Sequence, residues 1–295
     1  MNEVESIKDD VCKTLLHVLN KAVTASSQVL EISGLQDHFH SAADSLHEYP
    51  ISTLLIVVHF ITVILKIRTS EGSSFASTNP FGSVFSSVLL CFAGSVIQSL
   101  MLGIPPVKPF ANSNLILILI LIWYLMHFSP FDVFIRLVTF LPIRIALILV
   151  KEVYRIKCIL VGLNLAVSLF PNALFIIIAC GSIRGCGSMV LKPFVHQIVG
   201  LGTPRIEFHL PTFTTKISIL MSCIFTLQVK GLLAVNLSSL SLIFTIFMAT
   251  FQLLFFFTDQ TDPLAPLENT LAAIFLRHPQ QTASTSSNER KKKSD

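Results

Sequence analysis

Long apolar runs separated by short polar breaks dominate this chain. The first stretch is polar, but Val4, Ile7, Val11, Leu15, Val18 and Ala22 recur at the spacing of an amphipathic helix. From residue 51 onward the pattern changes. Apolar runs that approach or exceed the length needed to cross a bilayer, about 20 residues, fall at 51–67, 81–104, 115–128, 133–163, 172–199, 212–229 and 237–258. Pairs such as Asn79-Pro80, Pro105-Pro106 and Ser129-Pro130 punctuate them. The pattern predicts an all-α, multi-spanning membrane protein with seven transmembrane helices. Its parts are an N-terminal segment at 1–48, a seven-helix domain at 49–258 and a tail at 259–295.

Composition sharpens this. The 295 residues are 52% hydrophobic and only 13% charged, against about 25% charged in soluble domains. That excludes a soluble enzyme, a disordered chain and a nucleic-acid binder. The net charge of +4 is too small to indicate a polyanion partner. Its placing says more. Residues 1–50 hold eight acidic and three basic side chains, whereas residues 80–258 hold 11 basic and three acidic ones. Lys66, Arg68 and the tail Arg290–Lys293 are basic, so the positive-inside rule predicts a luminal or external N-terminus and a cytosolic C-terminus. An odd number of spans agrees. Lys292-Lys293-Ser294-Asp295 also fits a dilysine retrieval signal of the endoplasmic reticulum, with lipid anchoring of a basic tail as the alternative. Five of six cysteines sit at apolar positions without a CxxC pair, which predicts core residues rather than ligands.

The fourth run is the unusual one. It carries Arg144, Lys151, Glu152, Arg155 and Lys157. Positions separated by seven and eleven residues nearly align on a helix, so Arg144, Lys151 and Arg155 are expected to form a cationic stripe, with Glu152 able to pair with Arg155. Each cation at membrane depth costs about 2.5–3.5 kcal/mol on insertion scales. The stripe should therefore face a cavity, a phosphate or another helix. Glycines occupy matching places in the second and fifth runs, at Gly94 and at Gly181, Gly185 and Gly187, the last three around Arg184. If runs one to three and four to six are repeats, they are inverted in topology. Glycines in corresponding runs then point to interrupted helices lining a pore, or to close packing through small residues. By themselves these residues suit an anion or phosphate transporter, a lipid-binding scaffold or a channel. Enzyme chemistry is disfavoured. His127 and Asp132 form a lone HxxxxD match, and three acidic residues across 80–258 cannot build a carboxylate pair.

Specific strings carry a resemblance. NPFGSVF, CFAGS, WYLMHFSPFDVFIRLVTFLPIRIALILVKEVYRIK, GSIRGCGSMV, PTFTTKISIL and LIFTIFMA, over about residues 46–258, closely resemble the trimeric intracellular cation channels. The Lys-Glu-Val-x-Arg signature stands at Lys151, Glu152, Val153 and Arg155. The resemblance implies a potassium channel of the endoplasmic or sarcoplasmic reticulum that supplies counter-ion current during calcium release and uptake. It implies seven helices in two inverted three-helix repeats plus a seventh, and a homotrimer with one pore per subunit. It further implies that phosphatidylinositol 4,5-bisphosphate meets Lys151 and Arg155. Lys151 would close the pore on backbone carbonyls at Gly94, where luminal calcium also acts, with Gly181, Arg184, Gly185 and Gly187 as further pore or gating positions; Arg144 is expected to join them by its place in the cationic stripe. The signature usually continues to a basic residue where Cys158 stands here.

Overall fold

The computed structural model describes Lys21 and residues 36–72, 74–200 and 211–258. The amphipathic pattern at 4–22, the loop with Arg205 and the dilysine tail lie outside the described residues. Ten α-helices follow in order among the described residues: α1 (Gln36–Glu48), α2 (Thr53–Glu71), α3 (Phe75–Thr78), α4 (Pro80–Met101), α5 (Ser113–Phe128), α6 (Val133–Thr139), α7 (Leu141–Leu169), α8 (Leu174–Ile198), α9 (Phe213–Val229) and α10 (Leu237–Thr258). Local chemistry sets several starts. Asn79 caps α4 by accepting from the Gly82 amide at 2.9 Å, with Pro80 in the first turn, where its missing N–H costs nothing. Asn112 caps α5 in the same manner.

The chain is an all-α membrane protein. Helices α2, α4, α8 and α10 are long and apolar enough to cross a bilayer, and α5 with α6 would add a fifth if their 93° bend is disregarded. Of the other expected spans, α9 has 17 residues and reaches about 25 Å, and α7 has 29 residues but carries the charges.

The fourth run does not form one helix from residue 133. It divides into α6 and α7 at Phe140, whose backbone is non-helical (φ −58°, ψ 127°). Pro142 lacks the N–H that would bond back to Val138, and its ring would crowd that carbonyl, so the helix restarts at Leu141. The elbow before α6 is fixed from α2. Arg68 donates to the Met126 carbonyl and, at 3.0 Å, to Asp132 Oδ1. Asp132 is thus engaged by Arg68, which leaves no His127–Asp132 dyad.

The glycine-bearing helices are not interrupted. Helix α4 runs unbroken through Gly94 and α8 through Gly181, Gly185 and Gly187. The physical reason is that the glycines admit neighbouring helices, as described below.

Two apolar clusters form the interior. Phe60 and Ile64 of α2, Phe92 of α4, and Leu119, Trp123 and Met126 of α5 make one. Ile159 and Leu163 of α7, Ile177 of α8, Met221 and Phe225 of α9, and Met248 of α10 make the other. Buried Trp123 donates its indole N–H to Ser83 Oγ at 3.0 Å. Trp123→Phe should cost about 1 kcal/mol through that bond, read as a lower unfolding midpoint by circular dichroism. The described cysteines are all free, four of them buried. Helix α1 lies along α10, with Ala43 buried and Lys157 Nζ donating to the His47 carbonyl at 3.3 Å. That carbonyl belongs to the last turn of α1, where a cation is favoured.

Candidate functional site: a cationic cavity between four helices

Helices α2, α4, α7 and α8, with Thr214 at the start of α9, surround a cavity of about 360 Å³. Helix α4 crosses α8 at very short range. A Cβ on Gly187 would lie 2.4 Å from the Gly94 Cα, and one on Gly94 would lie 3.0 Å from the Ile183 carbonyl oxygen. Two backbones can approach this closely only where side chains are absent. Gly185 and Gly181 do similar work elsewhere on α8. A Cβ on Gly185 would meet Ile159 and Ser218, and one on Gly181 would meet Ser222 Oγ at 2.6 Å.

Of the residues expected at the site, Gly94, Lys151, Arg155, Arg184, Gly185 and Gly187 all line this cavity. Two do not. Gly181 packs between α7 and α9. Arg144 is exposed, with its Cζ 4.7 Å from the ring centroid of Phe256 on α10. Helical phase aligns it with Lys151, but seven residues of rise carry it about 10 Å along α7, past the cavity.

The expected pair within the signature is present. Arg155 Nε donates to Glu152 Oε2 at 2.7 Å and Nη2 to Oε1 at 3.1 Å, while Nη1 reaches the Gly185 carbonyl at 3.2 Å. Glu152 is 1% exposed, so this two-pronged contact neutralises a carboxylate that is cut off from water. Arg184 donates to Ser95 Oγ, and its Nε is buried with no partner among the described residues. Gly162 makes room for it, because a Cβ there would lie 2.5 Å from Arg184 Cγ. Lys151 lines the cavity without an ion pair among the described residues.

Sequence reasoning missed several wall residues. His59 reaches from α2 to its neighbours. Its Nε2 lies 3.0 Å from the Cys91 carbonyl oxygen on α4, and its ring stacks on Tyr154 at 4.6 Å. It is the one ionisable side chain between positions 53 and 65, which is the signal that could have found it. Lys66 and Lys192 also line the cavity. Five cationic residues therefore face one space, with Glu152 compensating Arg155. A fixed cation about 5 Å from a passing cation repels it by about 3 kcal/mol at an effective dielectric of about 20.

This donor set suits an anionic group. Lys151 offers up to three N–H donors and Arg184 an unpartnered one, and phosphate oxygens accept such bonds. The Gly94 carbonyl lies in an unbroken helix.

The family model described as TRIC channel matches residues 69–259. The chain belongs to the TRIC channel family. It is 32% identical over 225 residues to trimeric intracellular cation channel type B of Xenopus tropicalis, covering 75% of this chain and 79% of the relative. It is 31% identical to the type B channel of Danio rerio, covering 81% and 84%, and 30% identical to the human type A channel, covering 78% of each. A solved structure concerned with the activity of TRIC counter-ion channels in calcium release superposes with a TM-score of 0.72 at 28% identity, covering 75% of this chain and 99% of that one. A trimeric intracellular cation channel from C. elegans without Ca2+ gives 0.68 at 30% identity, covering 74% and 96%. Members of the TRIC family are ion channels, so the chain is a channel and not an enzyme.

Proposed function

We propose that this TRIC protein is a potassium channel of the endoplasmic or sarcoplasmic reticulum membrane. Its current balances the charge moved by calcium release and uptake. It assembles as a homotrimer, and the cavity between α2, α4, α7 and α8 is the conduction route of each subunit. The observation that carries this reading is that Lys151, Arg155 and Arg184 meet the packed glycines in a cavity lined by residues of a single chain. Seven crossings are formed by α2, α4 and α5, their inverted counterparts α7, α8 and α9, and then α10. The two apolar clusters support this division, as does the Gly94–Gly187 contact between the middle helices of the two trios. The N-terminus is luminal and the C-terminus cytosolic.

A cationic wall in a cation channel needs a counter-charge. The phosphates of phosphatidylinositol 4,5-bisphosphate supply it at Lys151 and Arg155, which reverses the local sign. Lys151, without an ion pair among the described residues and within a spanning helix, is the mobile charge. One charge crossing the whole field is worth about 2.3 kcal/mol per 100 mV, so partial movement of Lys151 gives a shallow voltage dependence. Lys151→Gln keeps donor capacity and removes charge. It should still pass potassium in planar bilayers, with an open probability nearly flat in voltage. A wild-type voltage response in that variant would assign the sensor to another cation, Arg184 first.

The excess of basic side chains also favours a second reading, an anion or phosphate pathway. Ion selectivity separates the two.

A further inference from the structure

We propose that Glu71 and His196 form a proton-binding site that latches α2 to α8 at the end of the cavity, so that current falls as that side is acidified. The inference rests on the cavity being the conduction route. Helix α2 ends with Thr69 and Ser70 on the cavity wall and Glu71 next to them. Helix α8 places Lys192 on the wall and His196 one turn further along. The two side chains meet beyond these wall residues, where the cavity gives way to the helix ends assigned to the cytosol.

Their contact is unusual for so dry a place. His196 Nε2 lies 3.6 Å from Glu71 Oε1, with side chains 6% and 1% exposed. Neither carboxylate oxygen nor Nε2 has a hydrogen-bond partner among the described residues. A buried carboxylate without a partner is strongly penalised, and removing one member of a buried pair leaves that penalty in full. The separation exceeds the 2.7–3.2 Å of a formed N–H···O bond. One proton taken up by the pair, whether on the carboxyl or on Nε2, would turn it into a hydrogen bond after a shift of well under 1 Å. Without that proton, a carboxylate faces a neutral ring out of reach of water, with only the field of Lys192 beside it. Parting the helices and admitting water is then the favourable response. Acid therefore holds this end shut and alkali frees it.

No other described group takes over this role. The field of Lys192 reaches both members, but it makes no ion pair with Glu71. Arg68, on α2, is committed to Asp132 and the Met126 carbonyl, and His127 of α5 lies near Arg68. Lys66 faces the cavity, and Lys216 on α9 has its own partners. Helices α3 and α4 bring no ionisable side chain other than Cys91. On α7, Lys151 lines the cavity, and Arg155 and Glu152 are paired with each other.

The full chain in planar bilayers, in symmetric potassium chloride, provides the test. Lowering the pH on the C-terminal side from about 8 to about 6, the range in which a buried carboxyl–imidazole pair can take up one proton, should reduce open probability by about fivefold. Glu71→Gln and His196→Gln should each flatten that response while eluting as the wild-type assembly. Infrared pH-difference spectra of the protein in vesicles should carry carboxyl and imidazole bands that both variants lose. A pH-insensitive wild type, opening by acid, or an unaltered response in Glu71→Gln would overturn the proposal. Absence of current at every pH would instead overturn the conduction reading, and the infrared bands would still decide whether the pair takes a proton.

Discussion

Arg155→Met should be among the most damaging single substitutions in this protein. It removes both donors from Glu152 and leaves a carboxylate that is 1% exposed without its partner. Breaking a buried ion pair from one side costs about 3–5 kcal/mol. The expected result is a large loss of folded protein in mild detergent and a drop of many degrees in its unfolding midpoint. Glu152→Gln should cost less, because the amide oxygen still accepts from Arg155. The double variant Glu152→Gln with Arg155→Met should recover part of the loss, since no uncompensated charge remains. Equal damage in the single and double variants would show that packing rather than charge governs the site. Arg155→Lys would fall between these, because a single ammonium cannot reproduce the two-pronged contact.

Gly187→Ala should be of similar severity for a different reason. The new Cβ would sit 2.4 Å from the Gly94 Cα and 2.6 Å from its nitrogen. Both are backbone atoms, so no rotamer change relieves the clash, and α4 and α8 must separate. Overpacking costs about 1–3 kcal/mol where neighbours can shift, and a backbone contact belongs at the top of that range. Separation would also distort the cavity, whose walls these two helices share. Size-exclusion chromatography after a heating series measures the effect, with Ser188→Ala on the same helix as a control that should elute as the wild type. An unchanged profile for Gly187→Ala would contradict the close crossing.

These two sites differ in how far the sequence reveals them. Glu152 and Arg155 are three apart on one helix, so their pairing is a local matter that spacing predicts. Gly94 and Gly187 are 93 residues apart, and no periodicity along either helix says that they touch. Seen alone, each glycine permits a break or a contact, and the unbroken α4 and α8 show contact. Arg144 illustrates the opposite limit. Its alignment with Lys151 is correct in angle, but a helix of 29 residues outruns one cavity, and Arg144 meets Phe256 instead. The break at Phe140 was masked because apolar residues continue across it, although Pro142 carried the signal. His59, Lys66 and Lys192 join the wall only through tertiary packing.

The family relation and the electrostatics of the cavity pull in opposite directions, and the sign of the permeant ion decides between them. Five basic side chains around one cavity would by themselves attract anions. A potassium channel requires bound phosphate to answer that charge, or a lysine that withdraws when the pore opens. The direct measurement is the reversal potential of the purified full-length protein in a planar bilayer under a potassium chloride gradient. A reversal close to the potassium equilibrium potential is the predicted result. A reversal close to that of chloride would contradict the account.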